Sequence, residues 1–163
     1  MIVEASGALT IGEEDPREGD ALGLYDEMQA FAGLTYPEDA SLGIFPSMPD
    51  DIAREGVFVM ARLDKRAVGT GALMPLGQLD GVAAMEVKRM YVREEARGRR
   101  IAEQILRWLE ILARARGAKK LALLCGPRQP GALRLYERYG FVKRGAFGAY
   151  TENSLSIFFE KHL

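Results

Sequence analysis

Two residue types that carry much of enzyme chemistry are nearly missing here. The 163 residues hold one cysteine, Cys125, and one histidine, His162. A lone cysteine makes no internal disulfide, which fits a reducing compartment. One histidine and one cysteine cannot build a His/Cys zinc site, so no metal is expected. A covalent acyl-cysteine route is disfavoured too, because no histidine stands near Cys125 in the sequence; a buried strand cysteine is ordinarily inert packing. His162, one residue from the end, reads as solvated. Net charge is also lacking: 22 basic against 23 acidic residues leave −1. Overall charge therefore gives no support to a nucleic-acid partner. No apolar run approaches the roughly 20 residues that span a bilayer. The opening MIVEASGALTIGEE lacks a basic stretch followed by an apolar one, so no signal peptide is expected. The expectation is a soluble, cytoplasmic chain with no membrane and no nucleic acid among its partners.

What is present is ordinary in bulk and uneven in detail. Apolar residues make up 48% and charged residues 28%, a globular balance at a length that suits one domain over 1–163. Basic residues cluster at Arg97, Arg99, Arg100 and Arg107, whereas the first forty residues are acidic. Ala8 to Glu13 reads as a strand. Asp20 to Leu34 carries Leu24, Met28 and Phe31 at helical spacing, with Asp20 as a candidate N-cap. Thr35 to Pro49, with Pro37, Pro46 and Pro49, reads as a long loop of the kind that serves as a lid or binding loop.

Three strands follow, Val57–Leu63, Ala67–Leu76 and Met85–Val92, with turns at Asp64-Lys65-Arg66 and Gln78–Gly81. Short connections imply an antiparallel meander. The period then changes. Ile101, Ile105, Trp108, Leu109 and Leu112 form a helical stripe, flanked by the i,i+4 pairs Glu103–Arg107 and Glu110–Arg114 and stopped by Gly117. Leu121–Cys125 is a strand, Pro130–Tyr139 a helix closed by Gly140, and Phe141–Lys143 and Leu155–Glu160 are strand candidates. A strand–helix–strand crossover from Met85 to Cys125 makes those two strands parallel. The fold class is thus α/β (α+β): a mixed, mostly antiparallel sheet with a parallel central pair and helices on both faces.

The chemistry concentrates where the strand ending at Val92 runs into the helix starting near Ile101. Backbone N–H groups at a helix start lack internal partners, and the helix dipole adds positive potential. Such an end binds phosphate, and Arg97, Gly98, Arg99 and Arg100 strengthen it. Alone, the same stretch also reads as a solvated basic turn. Arg97-Gly98-Arg99-Arg100-Ile101-Ala102 resembles the coenzyme A signature of the GNAT acetyltransferases: Gln or Arg, two variable residues, Gly, one variable residue, then Gly or Ala. Arg100 departs from it by standing where glycine is usual. The preceding strand Glu86–Val92 and the block Gln129-Pro130-Gly131-Ala132-Leu133-Arg134-Leu135-Tyr136-Glu137-Arg138-Tyr139-Gly140-Phe141 match the family in order. The latter resembles its N-x-x-A-x-x-L-Y-x-x-x-G-F ending, with Gln129 in place of Asn. The tail, Phe147–Tyr150 and Ser156–Lys161, is similar to small bacterial members.

The resemblance implies acetyl-CoA as donor, held by Met90, Tyr91, Val92, Arg97, Gly98, Arg99, Arg100, Ile101, Ala102 and Gln129. Residues 85–141 would form the acetyl-CoA-binding core and 1–55 mainly the acceptor side. The implied acceptor is a primary amine of a small molecule, attacking directly in a ternary complex. Acetylation of a protein or peptide, and a CoA-binding module without turnover, stay open as alternatives; a homodimer is compatible with the sequence. An amine of pKa about 10.4 must lose a proton before it attacks, which calls for a base. Glu86, eleven residues ahead of Arg97, is the candidate, with Glu38 as the weaker alternative. The bland reading of Glu86 is a surface charge pair with Lys88 on the same strand face. Tyr136 matches the family tyrosine that protonates the leaving thiolate; its bland reading is a core aromatic. Oxyanion stabilisation would fall to a backbone N–H near Met90 or Tyr91.

Overall fold

Alternation in Val57–Leu63 sets the two faces of the sheet. Val57, Val59 and Ala61 enter one core cluster, and Phe58 and Met60 another. The computed structural model describes residues 7–38 and 48–163. Within them a seven-stranded sheet has the order β1 (Leu9–Glu13), β2 (Val57–Leu63), β3 (Arg66–Leu79), β4 (Val82–Val92), β5 (Lys120–Cys125), β7 (Ile157–His162), β6 (Val142–Arg144). All neighbours run antiparallel except β4 and β5. Helices α1 (Gly19–Thr35) and α2 (Pro49–Glu55) cover one face through Ala21, Leu24 and Ile52. Helices α3 (Ile101–Ala115) and α4 (Pro130–Tyr139) cover the other through Ile105, Leu106, Leu109 and Tyr136.

The local departures from expectation have physical causes. The hairpin between β3 and β4 turns on Asp80 and Gly81 alone, both at positive φ (51° and 83°), so the strands run longer than the Gly-weakened pattern suggested. Asp20 is not the N-cap of α1. That position is Glu18, and the Asp20 carboxylate instead accepts from Arg62 Nη1 at 2.8 Å. Helix α2 starts at Pro49, the last residue of the expected loop, and runs on through residues given no element in the sequence, although Pro at its first position is the ordinary start signal. The remainder of that loop, 39–47, lies outside the described residues. No helix among the described residues is long and apolar enough to cross a membrane.

One irregularity shapes the centre of the sheet. In β4, Arg89 and Met90 together oppose Gly71 of β3, between the pairs Thr70↔Tyr91 and Ala72↔Lys88. Arg89 takes φ 59°, and its carbonyl accepts from the Thr70 hydroxyl at 2.7 Å. Such a bulge bends the strand and increases its twist. On its other side β4 pairs with β5 only at Ala84↔Lys120, Met85↔Leu121 and Glu86↔Ala122. Beyond Glu86 and Ala122 the two strands part. The paired end is clamped: Lys120 Nζ reaches Asp80 (2.9 Å) and Glu160 (3.0 Å), and Arg144 reaches the same two carboxylates at 2.9 and 2.6 Å.

Helix α3 lies directly on β3 because Gly71 has no side chain. A Cβ there would meet Ile105 at 2.5 Å, Leu109 at 3.0 Å and Met90 at 3.1 Å. Two of these atoms belong to core side chains that have nowhere to move. Gly71→Ala should therefore destabilise the fold by about 1–3 kcal/mol, the usual cost of overpacking. Chemical unfolding checks this, and an unchanged midpoint would show that α3 can rise off the sheet.

Candidate active site

Where β4 and β5 separate, the sheet opens into a cavity of about 1290 Å³. One wall is β4 from Glu86 to Val92, the opposite wall Leu124, Cys125 and Gly126, and the far end the start of α3. The carboxyl end of α1 contributes Met28, Phe31 and Tyr36, and α4 contributes Leu135 and Tyr136. Every donor-site residue expected from sequence lines this cavity except Arg99, which is exposed outside it.

The loop into α3 is shaped by its backbone. Gly98 and Arg100 both take left-handed conformations, at φ 79° and 59°. A glycine adopts this geometry freely, whereas a side chain costs about 1–2 kcal/mol, so Arg100 carries strain at the place where the signature favours glycine. Arg97 folds back, donating from Nε to the Val92 carbonyl at 2.9 Å, and lies over the rings of Phe31 and Tyr91. The first backbone hydrogen bond of α3 runs from Gln104 N to Arg100 O. The N–H groups of Ile101, Ala102 and Glu103 thus precede the helical ladder and stand at the cavity wall, ready for an anion.

Side-chain alternation brings the two catalytic candidates in from opposite faces. Met85 and Val87 belong to the core under α3 and α4, which sends Glu86 and Lys88 to the other face. There the loop between β6 and β7 supplies Tyr150. Its hydroxyl donates to Glu86 Oε2 at 2.7 Å and accepts from Lys88 Nζ at 2.9 Å, and Lys88 stands 3.7 Å from the carboxylate. The Glu86–Lys88 pair exists, but it is no surface pair: Glu86 is 6% exposed. Burial raises the carboxyl pKa of Glu86, opposed by the Lys88 charge and the Tyr150 hydrogen bond. Burial lowers the ammonium pKa of Lys88, opposed by the Glu86 charge.

Tyr136 approaches from the α4 side as a core aromatic that also borders the cavity. Its ring packs edge-on to Phe141 and near Phe159, in the core, and it also lines the cavity. Its hydroxyl has no hydrogen-bond partner among the described residues. Burial raises its pKa well above the ordinary tyrosine value. Cys125, across the same wall, is pushed up to about 12 by burial, a thiol held protonated.

Glu38 stands apart from this chemistry. Its carboxylate takes both Nη atoms of Arg128 at 3.0 Å, which hold its pKa down, and it does not line the cavity. Gln129, at the start of α4, accepts from the Tyr36 hydroxyl at 3.2 Å, and the Tyr36 ring sits against Gly126 where any Cβ would collide. Sequence reading missed Tyr150, Tyr36 and Arg89 as cavity residues. Arg89 reaches the α1 side only because the bulge turns it there, where its guanidinium covers the Tyr25 ring at 4.1 Å. For Tyr150 the available signal was the aromatic-glycine run Phe147–Tyr150 in a segment with no regular period. Among the described residues no cluster of three metal-ligating side chains occurs.

The profile of the GNAT acetyltransferase family matches residues 23–141. The IAA acetyltransferase of Azospirillum brasilense is 35% identical over 157 residues, covering 95% of this chain and 98% of that protein. Among solved structures, a candidate acyl-CoA N-acyltransferase from Klebsiella pneumoniae subsp. pneumoniae superposes with TM-score 0.75 at 29% identity, covering 95% of this chain and 97% of the other. A GNAT acetyltransferase from Elizabethkingia anophelis, solved with acetyl-CoA bound, shares the fold with TM-score 0.64 at 22% identity, covering 95% and 98%. By the family match and by a relative aligned over nearly the whole of both chains, the chain belongs to the GNAT acetyltransferase family and is an acyltransferase.

Proposed function

We propose that the protein moves the acetyl group of acetyl-CoA to a primary amine of a small molecule, by direct attack within a ternary complex. The observation that carries this reading is the placement of Glu86 and Tyr136 on opposite sides of one gap between β4 and β5. The donor fits that gap. Past Glu86 and Ala122 the facing edges of β4 and β5 have no strand partner in each other, so an extended amide-bearing arm finds backbone groups to bond there. The N–H groups at the start of α3, with Arg97 and Arg100 beside them, suit its phosphates. Residues 85–141 hold the donor in this reading, and the described part of residues 1–55, α1 and α2 above all, forms most of the acceptor side.

The acceptor arrives as an ammonium ion. Glu86 takes one proton from it, and a carboxyl raised by burial is a better match for this task than an exposed one. The neutral nitrogen then attacks the thioester carbonyl. A C–N bond forms, the oxygen gains charge that a β4 backbone N–H near Met90 or Tyr91 stabilises, and the C–S bond breaks on collapse. The second amine proton passes to solvent as the amide forms, the sulfur departs with its electron pair, and solvent returns a proton to Tyr136 once it has protonated that sulfur. A thiol of pKa about 8.5 in water leaves unaided. Burial changes the comparison, because the same wall pushes the Cys125 thiol up to about 12. A thiolate released beside it is more basic than in water for the same reason, which makes it a better proton acceptor for the Tyr136 hydroxyl. Glu86 is buried and lines the cavity, which suits a slender amine.

Two outcomes test the roles. Tyr136→Phe keeps the ring and its packing and removes a hydroxyl with no described protein partner. It should lower kcat about 10²-fold, the low end for acid catalysis, with little change in Tm or in acetyl-CoA affinity. Full kcat on a confirmed acceptor would exclude the acid role.

Glu86→Gln should lower the rate most for amines of high pKa and erase the acid limb of kcat/KM, where activity falls as Glu86 takes a proton. Thiol release across a panel of amines supplies the assay. An unchanged profile would remove Glu86 from the chemistry. Absence of turnover with any amine, alongside measurable CoA binding, would favour a module that binds CoA without transfer.

A further inference from the structure

Tyr150 lies on the segment between β6 and β7, far in sequence from both Glu86 and the α3 loop, yet it lines the same cavity. Its ring is fixed by packing on Phe147 (5.4 Å) and Phe158 (6.0 Å), so its hydroxyl is delivered to one place. There it is engaged on both sides, accepting from Lys88 Nζ and donating to Glu86 Oε2. Accepting from a cation polarises the O–H and strengthens the bond it gives. Both the hydrogen bond and the nearer approach of Lys88 fall on Oε2. Glu86 Oε1 has no hydrogen-bond partner among the described residues, and it is not sealed from the cavity.

We propose that Tyr150 is the positioning residue of the catalytic base: by tying Oε2 of Glu86 it presents Oε1 to the incoming amine. This rests on the reading of Glu86 as base. Tyr150 touches neither reacting atom; it acts through the carboxylate. Among the described residues the groups that face Glu86 are few. On β4 they are Lys88 and, acting on Lys88, Arg89; from the β6–β7 segment only Tyr150. The in-register neighbours are Met74 of β3 and Ala122 of β5, neither of which titrates. Removing the Tyr150 hydroxyl takes away one of the interactions that favour the charged carboxylate, while the burial that disfavours it stays. The Glu86 carboxyl pKa then rises, and the acid limb of kcat/KM moves to higher pH. Each pH unit of that movement costs about tenfold in rate on the limb.

The test is a cycle of Tyr150→Phe and Glu86→Gln, read as pH profiles of kcat/KM, with a melt on each variant. An infrared titration of the carboxyl band lost in Glu86→Gln follows the same group without turnover. If Tyr150 positions the base, Tyr150→Phe shifts both the limb and the band to higher pH, and it has no further effect once Glu86 is Gln. If Tyr150→Phe slows both backgrounds by the same factor, or moves neither limb nor band, the positioning role is overturned while the base reading stands. If Glu86→Gln leaves rate and profile intact, the base reading fails, and the role of Tyr150 falls with it.

Discussion

The structure turns on one interaction that stops. Strands β4 and β5 share a parallel ladder for three residue pairs, ending at Glu86↔Ala122, and then separate. The bulge at Arg89 and Met90 bends β4 away, and the absence of a side chain at Gly71 lets α3 press against the bent region. At the other end Lys120 and Arg144, held between Asp80 and Glu160, keep the strands together. A sheet clamped at one end and parted at the other exposes backbone edges in its interior. Such edges are costly unless something satisfies them, and an extended amide-bearing donor is a natural occupant.

The gap also explains how side chains from two faces share one site. In a continuous ladder, Glu86 on one face and Tyr136 beneath the other would be screened from each other by backbone. Parting removes the screen. Burial beside the gap shifts ionisation: the Cys125 thiol is pushed up to about 12 and the Glu86 carboxyl is raised. Burial would disable a lone carboxylate, since it favours the neutral form. The Lys88 charge and the Tyr150 hydrogen bond pull the other way. The balance leaves a carboxylate that is less solvated than one at the surface and still supported in its charged form.

Much of this was legible in the sequence, and what was not had physical reasons. Period and turn residues placed the meander, α3 and α4, and a short apolar run after Lys119-Lys120 placed β5. The Arg97–Ala102 loop and the Gln129–Phe141 block stand out through glycine, arginine and helix-start chemistry. Helix α2 escaped because seven residues are too few to show a stripe. The bulge escaped because Arg89 occupies a left-handed position that usually draws glycine, so nothing in the letters marks it. Burial of Glu86 was invisible for a related reason. A Glu-x-Lys pair reads as surface charge until Tyr150, more than sixty residues later, covers it. The Asp20 carboxylate, a plausible cap by position, is taken by Arg62 through a tertiary contact that no local rule contains.

Amide hydrogen exchange on β4 tests most directly whether the parted strands hold the donor. With saturating acetyl-CoA, the amides of Val87–Val92, Leu123–Cys125 and Ile101–Glu103 should slow together, while the clamped pairs at Ala84 and Met85 stay as they were. Slowing confined to α3, or spread evenly over the sheet, would contradict a donor seated between β4 and β5.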